Sequence, residues 1–241
     1  GAYQVESTLG QGNAALGFGN IFLPIGGVNG YEFSANLGNA ALVPEITKEL
    51  EVGFESNFFS KRVNLDVSLY NKKTQDLLAN VAVATSTGFQ TRTANILDVT
   101  NKGIELVLNV TPIKTNNFQW DFTTTFTKNK SNVDDIIDGQ DKIQLASNYG
   151  VSFNAVKGQP LGVFSTFVPQ TNADGQYIVD PATGYYKVTD DEQIIGTSER
   201  DFVMGFKNRL SYKNVVLSFG IDWKQGGDMY SYTKRLSHFN G

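Results

Sequence analysis

Between Asn101 and Lys130 apolar and polar residues change places with a period of two, in two successive runs, and this stretch restricts the fold more than any other. Ile104, Leu106, Leu108 and Val110 alternate with Glu105, Val107 and Asn109, while Phe118, Trp120, Phe122 and Phe126 alternate with Gln119, Asp121, Thr123, Thr125 and Thr127. Neighbouring residues of an extended chain point to opposite faces, so each apolar set occupies one side of a strand. The segment TPIKTNN, with Pro112 and a paired Asn, joins the two runs. It is long enough for a hairpin and too short for a crossover helix. Each run matches the roughly 9–11 residues that a tilted bilayer-spanning strand needs.

The same pattern recurs on both sides. Leu50, Val52 and Phe54 alternate with Glu49, Glu51, Gly53 and Glu55; a turn at Ser60-Lys61-Arg62 then leads into Val63, Leu65, Val67 and Leu69. These alternate with Asn64, Asp66, Ser68 and Tyr70. Near the end Phe202, Met204, Phe206 and Leu210 precede a tight turn at Lys213-Asn214, followed by Val215, Leu217, Phe219, Ile221 and Trp223. Only a weak strand signal, Tyr31 to Ala35, stands in the Gly- and Asn-rich start. Residues 71–100 and 131–200 read as long loops, so the connections run short, long, short, long, short. Antiparallel hairpins with short turns at one end and long loops at the other are the pattern of outer-membrane barrels. Strict alternation also suits a soluble sandwich with one wet face per sheet, so it does not separate the two.

Aromatic placement bears on that choice. Phe58, Phe59, Phe118, Trp120 and Tyr212 stand near the short turns, and Tyr70, Phe202 and Trp223 near the long loops. Two such bands match the aromatic girdles of the two membrane interfaces. The alternative is the general preference of Phe and Tyr for strands.

Composition narrows the chemistry. The 241 residues carry a net charge of -4, no cysteine and one histidine, His238. Nothing supplies the basic stripe that nucleic acid needs, and disulfides, thiolates and Cys-based zinc sites are excluded. The 24 Gly, 17 Phe and 10 Tyr suit short turns and strands better than helices. No amphipathic helix of ten residues is expected.

Taken together, NAALVPEITKELEVGFES, FFSKRVNLDVSLYNKKTQDLL, STGF and NILDVTNKGIEL resemble the barrel of SusC/RagA-type TonB-dependent outer-membrane transporters. The family positions are held by Pro44-Glu45, Thr47, Glu51, Gly53, Arg62, Tyr70, Lys72, Thr74, Asp76 to Leu78 and Asn101 to Glu105. Gly158 to Gly162, Ile195-Gly196, Ser211 to Asn214 and Gly227 to Tyr230 continue the resemblance, which spans roughly residues 36–235. Ala40 and Leu97-Asp98 depart from the family pattern, and TNADGQYIVD lacks the ligand spacing of a calcium loop.

The resemblance implies an all-β fold, an antiparallel transmembrane β-barrel of which residues 1–241 are a section, in a barrel of about twenty-two strands. The plug domain of such transporters is expected to lie outside this chain. The implied role is import of a nutrient, glycan or peptide, across the outer membrane of a Gram-negative, Bacteroidota-like cell. The implied partners are a SusD-like surface lipoprotein, the TonB-ExbB-ExbD complex acting through the plug, and outer-membrane lipid. The long loops would share the cell exterior with the segment after Gln225, and the short turns would face the periplasm. The rival readings are a soluble β-rich binding or adhesive domain using 131–200, and an outer-membrane hydrolase.

No enzyme, cofactor or metal site is expected. Glu49, Glu51 and Glu55 form a carboxylate set that glycoside hydrolysis could use at the right separation, but a lumen lining needs polar residues without catalysis. His238 lacks a Gly-x-Ser-x-Gly turn. Thr189-Asp190-Asp191-Glu192 is a cation candidate or a solvated loop. Tyr177, Tyr185 and Tyr186 are the ligand-binding candidates, since exposed loop aromatics stack on sugars or partners. Packing of the loop against itself is the equal alternative.

Overall fold

The computed structural model describes residues 5–11, 13–16 and 19–240. Short strands open the chain: β1 (Leu9–Gln11), β2 (Asn13–Leu16), β3 (Gly19–Phe22), β4 (Tyr31–Phe33) and β5 (Asn36–Leu37). β1 pairs with β4 and β2 with β3, both antiparallel. Long strands follow: β6 (Ile46–Phe58), β7 (Val63–Ala82), β8 (Thr91–Lys114) and β9 (Phe118–Ile136). Next come β10 (Lys142–Asn148), β11 (Val151–Val156), β12 (Val163–Thr166) and β13 (Gln193–Thr197), then β14 (Phe202–Tyr212) and β15 (Val215–Gln225). The helix α1 (Tyr232–Asn240) comes last. No helix among the described residues is long and apolar enough to cross a membrane, which says nothing about crossing by strands.

The main sheet has the order β15-β14-β9-β8-β7-β6, with β5 pairing parallel to the first residues of β8, off that path. Its register turns the alternation of single strands into continuous rows. Phe54, Val67, Leu106, Phe126, Met204 and Trp223 are successive cross-strand partners, one apolar row through six strands. The adjacent row on the other face is Glu55, Asp66, Val107, Thr125, Gly205 and Asp222. Most large apolar side chains of β6 and β15 are exposed, including Leu50, Val52, Phe54, Leu217, Phe219 and Ile221. Among the described residues no protein core therefore lies against the apolar face of the sheet.

Three sequence expectations are corrected. Residues 71–100 are largely strand, because β7 and β8 run on to a turn around Thr85–Thr87. At 20 and 24 residues they are about twice the expected length. Residues 131–200 hold the end of β9 and a four-stranded antiparallel sheet, β10-β11-β12-β13. Pro112 belongs to β8, at a register shift between Val110 and Ile113, and the connection shrinks to Thr115–Asn117. A bulge is one of the few sheet positions that tolerates a missing N–H. The turns at Ser60 to Arg62 and Lys213-Asn214 stand where expected, and β4 occupies the weak N-terminal signal.

The buried core lies above the alternating rows. Ala94, Ile96, Leu97 and Val99 of β8 cluster with Val133 and Ile136 of β9, Ile143 of β10 and Ala155 of β11. Val133 and Ala155 are fully excluded from solvent. Thr74, Val99 and Val133 are cross-strand partners that continue the polar-face parity upward. The inserted sheet thus closes over the inner side of the strand tops.

The motif residues of the sequence hold this upper region together. Glu45 accepts from the Leu78 amide at 2.7 Å, and the Thr47 and Thr74 hydroxyls lie 3.0 Å apart. Asp76 takes a positive φ at a bulge of β7, and its amide donates to Asp98 at 3.2 Å. Leu97 is 1% exposed, so the departing Leu97-Asp98 pair supplies one core residue and one bulge cap.

Candidate functional site

The polar face of the main sheet concentrates its charged groups at one level. Glu49 and Glu51 from β6, Tyr70 and Lys72 from β7, Asn101 and Glu105 from β8 and Asn129 from β9 line a recess of about 420 Å³. Alternation places them there, since each is one residue out of step with the apolar set of its strand. Ser68 donates to Glu51, Tyr70 to Asn129 at 3.0 Å, and Asn129 Nδ2 to Asn101 at 3.1 Å. Three carboxylates share the recess with one ammonium, so its field favours cationic or hydroxyl-rich groups. Lower on the same face Asn64, Asn109 and Thr123 form a hydrogen-bonded ladder, at 3.0 Å and 2.7 Å.

Tyr70 is a further correction. Its position near the strand top suggested an interfacial girdle, but its hydroxyl is engaged on the polar face. On the apolar side Phe126 packs against Phe202, and the Phe202–Trp223 centroids lie 5.1 Å apart, edge to face. At the other end the Trp120 indole donates to Asn208 at 3.1 Å and its ring meets Phe122. An indole on an apolar surface needs such a partner for its N–H.

Tyr177, Tyr185 and Tyr186 lie on an excursion between β12 and β13, held by bridges Pro169–Val188, Thr171–Tyr177 and Val179–Tyr186. The rings of Tyr177 and Tyr186 pack together at 5.2 Å, while Tyr185 is 78% exposed. Tyr177 and Tyr186 are thus in contact with each other, and all three rings are exposed.

Glu192 is not part of a solvated acidic loop. It accepts from Lys142 on β10, from Ser152 on β11 and from Ser165 on β12, the two hydroxyls at 2.8 Å. The Lys142 ammonium and the two hydroxyls hold its carboxyl down at about 2. Asn154, fully buried, donates to Ser165 at 2.6 Å and joins the network. No group of His, Asp and Glu suited to a metal ion occurs among the described residues. His238 lines a recess under α1 with Asp228 and Arg235. The Asp228 carboxylate accepts the Thr197 amide, and the Ser231 hydroxyl accepts the Lys234 amide in the first turn of the helix.

The sequence had marked Glu49, Glu51 and Glu55 as polar lining and missed that Tyr70, Lys72, Asn101 and Asn129 join the first two. Parity was the available signal.

A sheet of long antiparallel strands, apolar on one unpacked face and hydrogen-bonded on the other, is a wall section of a transmembrane β-barrel. Residues 7–222 match the family model described as TonB dependent receptor-like, beta-barrel. The chain belongs to this family of outer-membrane transporters and receptors, which are not enzymes. It is 32% identical over 222 residues to TonB-dependent receptor P26 of Formosa agariphila, covering 84% of this chain and 22% of the relative. It is 27% identical to TonB-dependent receptor SusC of Bacteroides thetaiotaomicron, covering 76% of this chain and 20% of that protein. The fold matches the solved structure of the RagAB peptide transporter with a TM-score of 0.71 at 20% identity, over 94% of this chain and 25% of that one. The chain thus spans about a fifth to a quarter of the proteins it matches.

Proposed function

We propose that this chain forms a sector of the barrel wall of an energy-coupled importer in the outer membrane of a Gram-negative, Bacteroidota-like cell. Its cargo would be a glycan or a peptide. The observation that carries the proposal is the six-strand apolar row from Phe54 to Trp223, which requires lipid on one side, backed by the polar row from Glu55 to Asp222. The carboxylate-rich recess around Tyr70 offers hydrogen-bond acceptors to sugar hydroxyls or to peptide amides and amines. The end bearing β10–β13 faces the cell exterior in this reading, where a SusD-like lipoprotein would close over it. Tyr185, with its Tyr177–Tyr186 neighbours, supplies an exposed aromatic surface for cargo or that partner. Energy would reach the full-length protein from TonB-ExbB-ExbD through a plug. The wall itself breaks no bond.

The test is deletion of the full-length gene, followed by growth on defined oligosaccharides and oligopeptides as sole nutrients. Loss of growth on one class, restored by the wild-type gene, is expected, with the protein in the detergent-extracted membrane fraction and a surface lipoprotein co-purifying. Recovery of the protein in the soluble fraction, or unchanged growth on every such nutrient, would overturn the proposal. Tyr185→Ala is expected to weaken uptake without lowering the amount of protein in the membrane.

A further inference from the structure

On the apolar face the hydrophobic belt ends at the same side on successive strands, and lysines begin there. Moving up each strand on that face, Leu50 gives way to Lys48, Ile104 to Lys102, and Phe126 to Lys128 and Lys130. On β7, Leu69 is followed by Asn71 and Lys73. The register brings these lysines together. Lys48 faces Lys73 across β6 and β7, and Lys102 faces Lys130 across β8 and β9. Like charges directly opposite on neighbouring strands destabilise a sheet unless a counter-charge relieves them. Lys73 has one in Asp98, at 3.7 Å. Among the described residues Lys102, Lys128 and Lys130 form no ion pair.

Those three lysines border a shallow recess of about 690 Å³ whose floor includes Leu69 and Ile104. Asp134 also borders it, but its carboxylate accepts from the Thr100 hydroxyl and, at 2.8 Å, from Asn132. Asp134 keeps its charge, so the recess sets three ammonium groups against one carboxylate, an excess of positive charge. The arrangement offers three unpaired ammonium groups directly above an apolar floor. Phosphate oxygens attached to acyl chains match both features: the anion meets the lysines and the chains lie along the belt.

We propose that Lys102, Lys128 and Lys130 form a binding site for the phosphate of a phosphorylated lipid of the outer leaflet, seated against the outside of the barrel. The inference rests on the reading of the sheet as a barrel wall with the β10–β13 end outward. The lipid supplies the missing counter-charge to the Lys102–Lys130 pair and anchors the strand tops at the headgroup level. Binding weakens with ionic strength, because exposed ion pairs are screened by salt.

The test uses the full-length transporter purified in detergent, with bound lipid counted by native mass spectrometry. The probes are a phosphorylated disaccharide lipid, its dephosphorylated form, phosphatidylglycerol and inorganic phosphate. Wild-type protein is expected to retain the phosphorylated disaccharide lipid, and K102Q/K128Q/K130Q to bind it on the order of a hundredfold more weakly, at roughly fivefold for each of three lysines. Lys224→Gln, at a similar height on the polar face, is expected to leave retention unchanged. Equal retention by the triple variant, or equal binding of the dephosphorylated lipid, would overturn the site. Displacement by an equal concentration of inorganic phosphate would assign the patch to free phosphate, and preference for phosphatidylglycerol would assign it to the inner leaflet; either result rejects the proposal. Failure of the wild-type protein to insert into bilayers would instead reject the barrel-wall reading.

Discussion

Tyr70 of β7 donates a hydrogen bond to Asn129 of β9 at 3.0 Å, although β8 runs between them. The ring reaches across because the β8 residue in its path is Gly103, the cross-strand partner of both. A Cβ on Gly103 would stand 2.4 Å from the Tyr70 ring and 2.7 Å from the Lys128 carbonyl oxygen. The glycine of the Asn-Lys-Gly-Ile-Glu run is therefore a close-approach glycine, needed for space rather than for an unusual φ. Gly103→Ala is expected to cost about 1–3 kcal/mol, the usual scale of overpacking. Denaturant titration of the full-length protein in lipid vesicles measures it. Adding Tyr70→Ala should restore only part of the loss, because the Lys128 backbone stays in place.

Arginine scanning distinguishes the two faces. Leu106 lies in the middle of the apolar row and Val107 in the polar row beside Asp66 and Thr125. Arginine facing lipid near the midplane of a barrel costs roughly 2–4 kcal/mol. Leu106→Arg is expected to lose about that much in vesicle unfolding, and Val107→Arg much less because the Asp66 carboxylate is its neighbour. Equal losses would mean that the apolar face packs against protein.

The Lys142–Glu192 pair predicts an acid-sensitive upper sheet. The folded carboxyl sits at about 2, below its ordinary 4.5, so its stabilising contribution is complete above about pH 4.5 and fades as pH falls toward 2. Hydrogen–deuterium exchange of β10–β13, corrected for intrinsic rates, should rise through that window. Glu192→Gln should remove most of the pH dependence and cost about 1–2 kcal/mol at neutral pH, after allowing for partial solvent screening. An unchanged pH profile in the variant would show that other groups govern it.

Sidedness is testable with single cysteines in the full-length protein on intact cells. A cysteine at Asp180, on the excursion between β12 and β13, is expected to react with an impermeant reagent. One at Lys114, at the short-turn end of β8, is expected not to react. The reverse pattern would invert the orientation and place the Lys102–Lys130 pair at the periplasmic leaflet.

The sequence by itself determined which residues of the alternating runs share a face and where the turns at Ser60 to Arg62 and Lys213-Asn214 fall. Side-chain period along a strand is a local property, so Leu106 and Val107 could be separated by counting. It did not reveal the strand tops. Ala94, Ile96, Leu97 and Val99 are apolar without alternation, because the upper part of β8 is buried by the inserted sheet as well as by its neighbours. The register of β8 also shifts between Leu97 and Asn95, which breaks the period-two signal, and residues 71–100 therefore read as a loop. The bulges at Asp76 and Pro112 shifted the parity further. Contacts across long sequence separations were decided only by the tertiary register: Glu45 with Leu78, Tyr70 with Asn129, and the facing lysines 102 and 130. Each lysine looked like an ordinary solvated charge in its own strand. Only hydrogen bonding between strands, which fixes who stands opposite whom, gathered them above the apolar belt.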